Sequence, residues 1–310
     1  MQLLFDRCPV IPVDLSLSLA RYCATLKQSL AQAEQYQRAG DNERAALLFI
    51  RCVQVANRTL PGHPEYSLRQ SEQWQKELRR ISGRCLLELE RLKPLIDVAA
   101  KKDAKQQGEF RFDTGQSSTV EMDQGILHVF EKIAHEYTCN RIECIGLLCG
   151  RLEDISKNVQ VLKVAALVIP SQHGTDSNCE MLNESTVHSL QEAKGLFTLG
   201  WLVTHPGNPQ APTPVELRYH AGFQAMLPEC VLGIVTPHLE PRHCFYSLTD
   251  PGGLGFVLRH SQRVRDEGLL SVPDGFKGAG NPIYTDAKHV RLEASPRGAT
   301  NFKIYDLRVK

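Results

Sequence analysis

The stretch GWLVTHPGNPQAPTPVEL, residues 200–217, joins an apolar run to a proline-rich segment. The apolar half predicts a β-strand that ends at Thr204-His205-Pro206, and the prolines after it predict a turn. Thr213, Pro214 and Glu216 then fit a capping box that starts a helix. His205 is either a metal ligand or a hydrogen-bonded histidine at a strand end, because a hydrolytic zinc site needs three protein ligands and an open position for water.

Length and charge narrow the class of protein. A chain of 310 residues can hold two domains, since single cores rarely grow beyond roughly 250 residues. The 36 basic and 35 acidic residues nearly cancel, so no long-range field recruits nucleic acid or an anionic membrane, and no nucleic-acid partner is predicted.

The apolar runs of the sequence are shorter than the ~20 residues that a membrane span needs, and the N-terminus lacks a signal-peptide pattern. The ten cysteines form no CxxC pair. A cytosolic protein is expected.

The first hundred residues have a helical pattern. Apolar positions recur at three- and four-residue spacing until Gly40, a candidate C-terminal cap, and Asp41 is a candidate N-cap for the next helix. A third helix is predicted from about Ser67 past Leu92. Three antiparallel helices over residues 1–100 are the economical interpretation.

Residues 101–119 are polar and aperiodic and predict a linker. Helices and strands alternate after it, which indicates an α/β domain over residues 120–310. Helices are predicted at 122–139 and 185–195. Strands are predicted at 142–152, 159–170, 197–206, 230–237 and 302–307.

The order of these pieces resembles the AMSH (STAM-binding) family of deubiquitinases. In that family a helical, MIT-like or dimerisation-type domain precedes a JAMM-type MPN metalloprotease domain. The resemblance rests on AGDNERAALLFIRCVQVANRTLPGHPEY (39–66) and on five ordered segments of the second half: IECIGLLCGRL (142–152), IPSQHGTDSNCEM (169–181), LGWLVTHP (199–206), MLPECVLGIVTP (226–237) and KIYDLR (303–308). The insertion-like PSQHGTDSNCE favours the AMSH branch. The resemblance implies hydrolysis of polyubiquitin, typically linked through lysine sixty-three, on cargo at endosomes.

The family's JAMM motif has a glutamate upstream, then His-x-His, seven residues, Ser, two residues and Asp. By this resemblance Glu143 lies at the glutamate position and His205 at the second histidine, whereas Val203 replaces the first histidine ligand. Thr213 lies at the serine position and Glu216 at the aspartate position. Valine has no lone pair, and the longer glutamate displaces its oxygen by more than the ~0.2 Å tolerance of a metal bond. The sequence therefore predicts that no catalytic zinc is held.

The family's second, structural zinc gives an independent test. The resemblance places Arg218, Ser271, Lys277 and Ala279 at its four ligand positions, and none is an ordinary zinc ligand. One alternative set remains: His220 lies one helical turn after Glu216, so His205, Glu216 and His220 could converge on a metal.

The sequence therefore predicts that this protein is a degenerate member of the family. It would bind ubiquitin or polyubiquitin, or act as a scaffold, and contact endosomal sorting (ESCRT-type) proteins through the helical domain, in the cytoplasm at the periphery of endosomes. A homodimer is possible. The alternatives are an active zinc isopeptidase with an unusual ligand set, and an adaptor that works through the helical domain alone.

The linker has no proline, so no motif for the STAM SH3 domain is found. LLELE (86–90) fits a clathrin box, but its Leu89 belongs to the predicted buried stripe.

Overall fold

A computed structural model gives the fold of the 310-residue chain. It describes residues 4–5, 8, 10–11, 13, 18–68, 71–106, 119–151, 161–207, 209–249, 252–258, 282–294 and 301–308. The chain divides into two compact units, the first comprising Met1–Ser117 and the second nearly all of the remainder. Over the described residues, no helix combines the length and the apolar character that crossing a membrane requires.

The first unit is a bundle of three helices, as predicted. Its helices are α1 (Leu19–Arg38), α2 (Asn42–Gln54, followed by a π-helical turn at Val55–Thr59) and α3 (Glu72–Gln106), with 3-10 turns at Leu60–Gly62 and Pro64–Ser67. Gly40 has φ +85°, and the Asp41 side chain accepts a hydrogen bond from the Arg44 amide. The predicted cap and N-cap are therefore confirmed. Since Cys23, Leu26, Phe49, Ile81 and Cys85 are fully buried, the three helices share one core.

The third helix differs from its predicted bounds. It begins at Glu72, not Ser67, and continues to Gln106, so residues 101–106 of the predicted linker are helical. The segment KKDAKQ contains good helix formers and no glycine or proline. A polar composition alone did not distinguish a solvated helix end from a linker.

The second unit is built on one large mixed sheet. Its strands are β1 Thr119–Asp123, β2 Ile145–Arg151, β3 Val161–Ile169, β6 Leu196–Thr204, β7 Val231–Val235, β8 His243–Leu248, β9 Tyr284–Asp286, β10 Val290–Glu293 and β11 Lys303–Asp306. They follow the order β10-β1-β3-β2-β6-β7-β8-β9, and β11 pairs with β3 beside β1. A separate hairpin pairs β4 (Gln172–Gly174) with β5 (Cys179–Met181).

Helices cover both faces of this sheet. One buried cluster contains residues of α4 (Gly125–Cys139), including Phe130. The cluster on the other face contains Val187 of α5 (Glu184–Lys194), with Tyr219 of α6 (Pro214–Met226) packed against it. The predicted α/β architecture is thus confirmed, and α6 carries the residues after the proline-rich turn.

The predicted helix over residues 122–139 starts three residues late. Met122 and Asp123 belong to β1, which lies between β3 and β10 and is parallel to both. Neither partner is near β1 in sequence, so a local pattern could not reveal this strand. The β4–β5 hairpin and strands β8, β9 and β10 were likewise not predicted.

Candidate functional site

The stretch 200–217 folds as predicted from its sequence. Strand β6 ends at Thr204, whose amide donates to the Cys144 carbonyl, and the His205 amide donates to the Val235 carbonyl. Helix α6 then starts with a complete capping box. The Glu216 amide donates to Thr213 Oγ1 (3.3 Å), and the Thr213 amide donates to Glu216 Oε2 (2.6 Å). Strand and cap therefore fix His205 and Glu216 on opposite sides of the turn.

His205 and Glu216 form a buried pair across this turn. The distance from His205 Nε2 to Glu216 Oε1 is 2.7 Å, and His205 Nδ1 lies 2.6 Å from the Pro209 carbonyl oxygen. His205 is 0% exposed and Glu216 is 6% exposed. The Pro209 carbonyl is an acceptor, and so is Glu216 when it is ionised; a hydrogen on each ring nitrogen then satisfies both contacts, which describes a buried imidazolium.

The charges around His205 support the protonated form. Burial by itself lowers the pKa of His205, but the hydrogen bond and the charge of Glu216 outweigh it and raise the pKa above its ordinary value of 6.5. The Pro209 carbonyl and the charge of Glu143 act in the same direction. A zinc ligand must instead be a neutral imidazole with a free lone pair.

Val203 lies on β6 two residues before His205, where the resemblance places the first histidine ligand. Its neighbours across the sheet are Ile145 and Ile234, and all three belong to one apolar cluster. The side chain is 1% exposed. The position is therefore filled as part of the core.

Glu143 is 1% exposed and lies just before β2, against the β4–β5 hairpin. Its amide donates to the Thr175 carbonyl at 2.8 Å, and a Cβ on Gly174 would lie 2.2 Å from the Glu143 carbonyl oxygen. The hairpin thus packs backbone to backbone on this segment. Cys144, next to Glu143, donates to Thr204 Oγ1 and accepts from the Thr204 amide, so the structure places Glu143 near His205 and its partner Glu216.

Two glutamines of the site were not predicted. Gln172 pairs with Ile145 as a strand residue would, accepting from the amide at 2.6 Å and donating to the carbonyl at 3.1 Å. The Gln210 side chain donates to Thr236 Oγ1 at 2.7 Å and to the Pro241 carbonyl. Tyr246 Oη donates to the Gln210 carbonyl at 2.9 Å. Gln172 lies in the quoted insertion and Gln210 in the opening stretch, but a lone glutamine carries no sequence signal of its own.

The alternative ligand set with His220 is wrong. Among the described residues, no three histidine, cysteine, aspartate or glutamate side chains converge on a possible metal position. His220 is 0% exposed on α6, and neither ring nitrogen has a hydrogen-bond partner within the described part of the chain. Burial is the main cause that lowers the pKa of His220 to about 3. It is a neutral core histidine.

The positions of the second zinc are only partly described. The Arg218 guanidinium lies over the Tyr219 ring, 5.1 Å from its centroid, and does not resemble a metal ligand. Ser271, Lys277 and Ala279 lie outside the described residues.

These residues do not fit a catalytic zinc. A hydrolytic site needs three protein ligands. Here the first position is an apolar core valine, and His205 directs both ring nitrogens to protein oxygens. The oxygen of Glu216 nearest the site is already 2.7 Å from His205 Nε2. The arrangement can hold the turn between β6 and α6, and it offers no free lone pair on His205.

Known proteins resemble both units. Residues 116–229 match the family model of JAB1/Mov34/MPN/PAD-1 ubiquitin proteases, and residues 1–97 match the USP8 dimerisation domain. AMSH-like ubiquitin thioesterase 2 of Arabidopsis thaliana is 31% identical over 190 residues, which are 61% of this chain and 78% of that protein. AMSH-like ubiquitin thioesterase 3 of the same plant is 32% identical over 184 residues, 59% of this chain and 33% of that protein. STAM-binding protein of Rattus norvegicus is 30% identical over 164 residues, 53% and 35% of the two chains.

The mixed sheet, its strand–turn–helix unit and the first match define an MPN-type domain behind a helical, dimerisation-type unit. The chain belongs to the AMSH family of MPN-domain deubiquitinases, which confirms the resemblance found in the sequence. It spans about a third of the length of AMSH-like ubiquitin thioesterase 3 and of STAM-binding protein.

Proposed function

We propose that this chain is a pseudo-deubiquitinase, which binds ubiquitin or polyubiquitin through its MPN domain and does not cleave it. One observation carries the proposal: both nitrogens of the only histidine retained from the JAMM motif, His205, lie against the protein oxygens of Glu216 and Pro209. With Val203 in the core beside it, no water-activating metal can be held, and metal-activated water is the source of nucleophile in this type of hydrolysis.

The binding role follows from what is preserved. The capping box, the buried Glu143 and the hairpin packed against it keep the framework of the site folded. An extended peptide such as the C-terminus of ubiquitin can bind along the edge of a β-sheet or hairpin without any reaction. The matching relatives named ubiquitin thioesterases support ubiquitin as the ligand.

The helical unit supplies the second half of the proposal. Its match to a dimerisation domain supports a homodimer. A relative is named STAM-binding protein, and we further propose that this chain works among endosomal sorting (ESCRT-type) proteins, in the cytoplasm at the periphery of endosomes. A chain that binds ubiquitin without cleaving it would then act as a scaffold for ubiquitin-bearing cargo.

Lysine-sixty-three-linked di-ubiquitin is the probe that tests this function. The full chain is titrated with it by calorimetry, and the same mixtures are incubated overnight and resolved on a gel, once with added zinc and once with a chelator. Saturable binding with no mono-ubiquitin in either mixture is expected. Mono-ubiquitin that forms with zinc and not with chelator would establish the active isopeptidase instead. Absence of binding would leave only the adaptor that works through the helical unit.

A further inference from the structure

Helix α3 is much longer than the two helices that it packs against. Cross-contacts place Lys27 of α1 beside Glu77, Glu34 beside Arg84, and Gln37 beside Glu88. The C-terminal end of α1, at Arg38, is therefore level with Glu88. Helix α3 continues to Gln106, which at 1.5 Å per residue is about 27 Å farther. Its second half thus has less of its own bundle to pack against.

An apolar stripe lies on this helix, opposite its buried face. The buried residues are Ile81, Cys85, Leu89, Leu92 and Ile96. On the other side Leu87 is 59% exposed and Val98 is 54% exposed, and with Pro94 they follow the seven- and four-residue spacing of a helix–helix contact. Leu86 and Leu95 flank this stripe and are 46% and 55% exposed. Four of the eleven large apolar side chains that are exposed in the described residues therefore lie within thirteen positions of one helix.

We propose that this outer face of α3, residues 86–98, is the surface through which two copies of the chain pair as antiparallel helices. The inference rests on the proposed homodimer and assigns its contact surface. The match of residues 1–97 to a dimerisation domain makes a second copy the occupant.

Charge gives the direction of pairing. Glu90 and Lys93 are exposed on the same flank of the stripe, and neither forms an ion pair within the described part of the chain. In a parallel pair, whose two-fold axis runs along the helices, this flank of one copy and the same flank of the other lie on opposite sides of the contact, so Glu90 and Lys93 of the two copies do not meet. An antiparallel pair with its two-fold axis near Leu92 sets Glu90 of one copy level with Lys93 of the other, twice in the dimer.

The same axis brings the apolar groups together. It sets Leu87 of one copy within one helical turn of Pro94 and Val98 of the other, and Leu86 and Leu95 border this contact on its two sides. A helix pair in contact over about four turns buries on the order of 1,000 Å², which is the lower range for a specific dimer. A concentration-dependent dimer is therefore the expected state.

Light scattering after size exclusion, with sedimentation equilibrium for the dissociation constant, tests this surface on the full chain. Wild-type protein should approach twice 34.7 kDa as its concentration rises. Leu87→Glu with Leu95→Glu should weaken the dimer at least about a hundredfold, because four charges enter an apolar contact. Leu68→Glu is the matched control, since Leu68 is 44% exposed in the same unit but outside α3. Unchanged circular dichroism checks that each variant is folded.

A charge exchange tests the direction. Glu90→Lys should weaken the dimer about tenfold, because it sets two lysine pairs together, and Glu90→Lys with Lys93→Glu should restore it to within about threefold. If the double leucine variant dimerises like wild type, the assignment of the contact surface to α3 is wrong, although the proposed homodimer is supported. If the charge exchange does not restore pairing, the antiparallel arrangement is wrong. Monomeric wild-type protein at about 100 µM would overturn both the surface and the proposed dimer.

Discussion

Replacement of Glu216 tests whether an ion pair organises the degenerate site. Glu216→Ala removes the partner of a fully buried imidazolium and the N3 half of the capping box. Loss of one partner of a buried pair costs about 3–5 kcal/mol. His205 can release its proton, which limits the cost, so a loss of about 3 kcal/mol in the free energy of unfolding is expected at neutral pH.

Glu216→Gln is the matched control. The amide oxygen can accept from the Thr213 amide, and the amide NH2 can donate to a neutral His205 at Nε2, so both hydrogen bonds keep a partner. A cost below about 1 kcal/mol is expected at neutral pH.

The pH dependence separates a charged pair from a neutral hydrogen bond. The pKa of His205 is raised in the folded protein, so the contribution of the pair is complete below 6.5, the ordinary value, and is lost as pH rises through the folded value. Wild-type protein should lose up to about 1.4 kcal/mol per pH unit across this window. Glu216→Gln should lack this loss.

Urea unfolding between about pH 6.5 and 9, followed by tryptophan fluorescence, measures these effects. Trp74→Phe serves as the common background, because Trp201 on β6 then reports only on the second unit. A cost below about 1 kcal/mol for Glu216→Ala, or identical pH profiles for wild type and Glu216→Gln, would refute the buried imidazolium.

Three further predictions follow from other positions. Val203→His should bind no zinc by metal analysis and cleave no di-ubiquitin, because His205 keeps both nitrogens on protein oxygens; cleavage by this single variant would show that those contacts are weak. Lowering the pH from about 7.5 to about 5 should cost about 2 kcal/mol through His220, whose pKa is about 3 when folded and 6.5 otherwise, and His220→Met should remove that loss in urea unfolding. Gly174→Ala should destabilise the second unit by about 1–3 kcal/mol in the same assay, because its Cβ would meet the Glu143 carbonyl at 2.2 Å, whereas Gly207→Ala, with open space around it, should stay within about 0.5 kcal/mol.

The sequence predicted those parts of the site that are local. The apolar run of β6, the turn with its prolines and the Thr213–Glu216 capping box each depend on neighbours within a few positions, and all three form as expected. The same holds for the Gly40 cap of α1 and the Asp41 cap of α2.

Contacts between residues that are far apart in the sequence could not be predicted from local patterns. The sequence marked His205 and Glu216 as remnants of a ligand set, but not as partners of each other across eleven positions. The second contact of the His205 ring, the Pro209 carbonyl, is a backbone atom that any residue could supply. Strand β1 was missed for a similar reason, since its two pairings, with β3 and β10, join segments far apart in the chain. The end of α3 was missed because a solvated helix and a linker share a polar composition.

The zinc content of the purified full chain tests the central claim most directly. The protein is dialysed against excess zinc, freed of unbound metal and analysed by mass spectrometry of the elements, with Cys179→Ala as a control for adventitious thiol binding. Because Val203 supplies no ligand and His205 is committed to Glu216 and Pro209, far less than one zinc per chain is predicted. About one tightly held zinc per chain in both proteins would contradict the account.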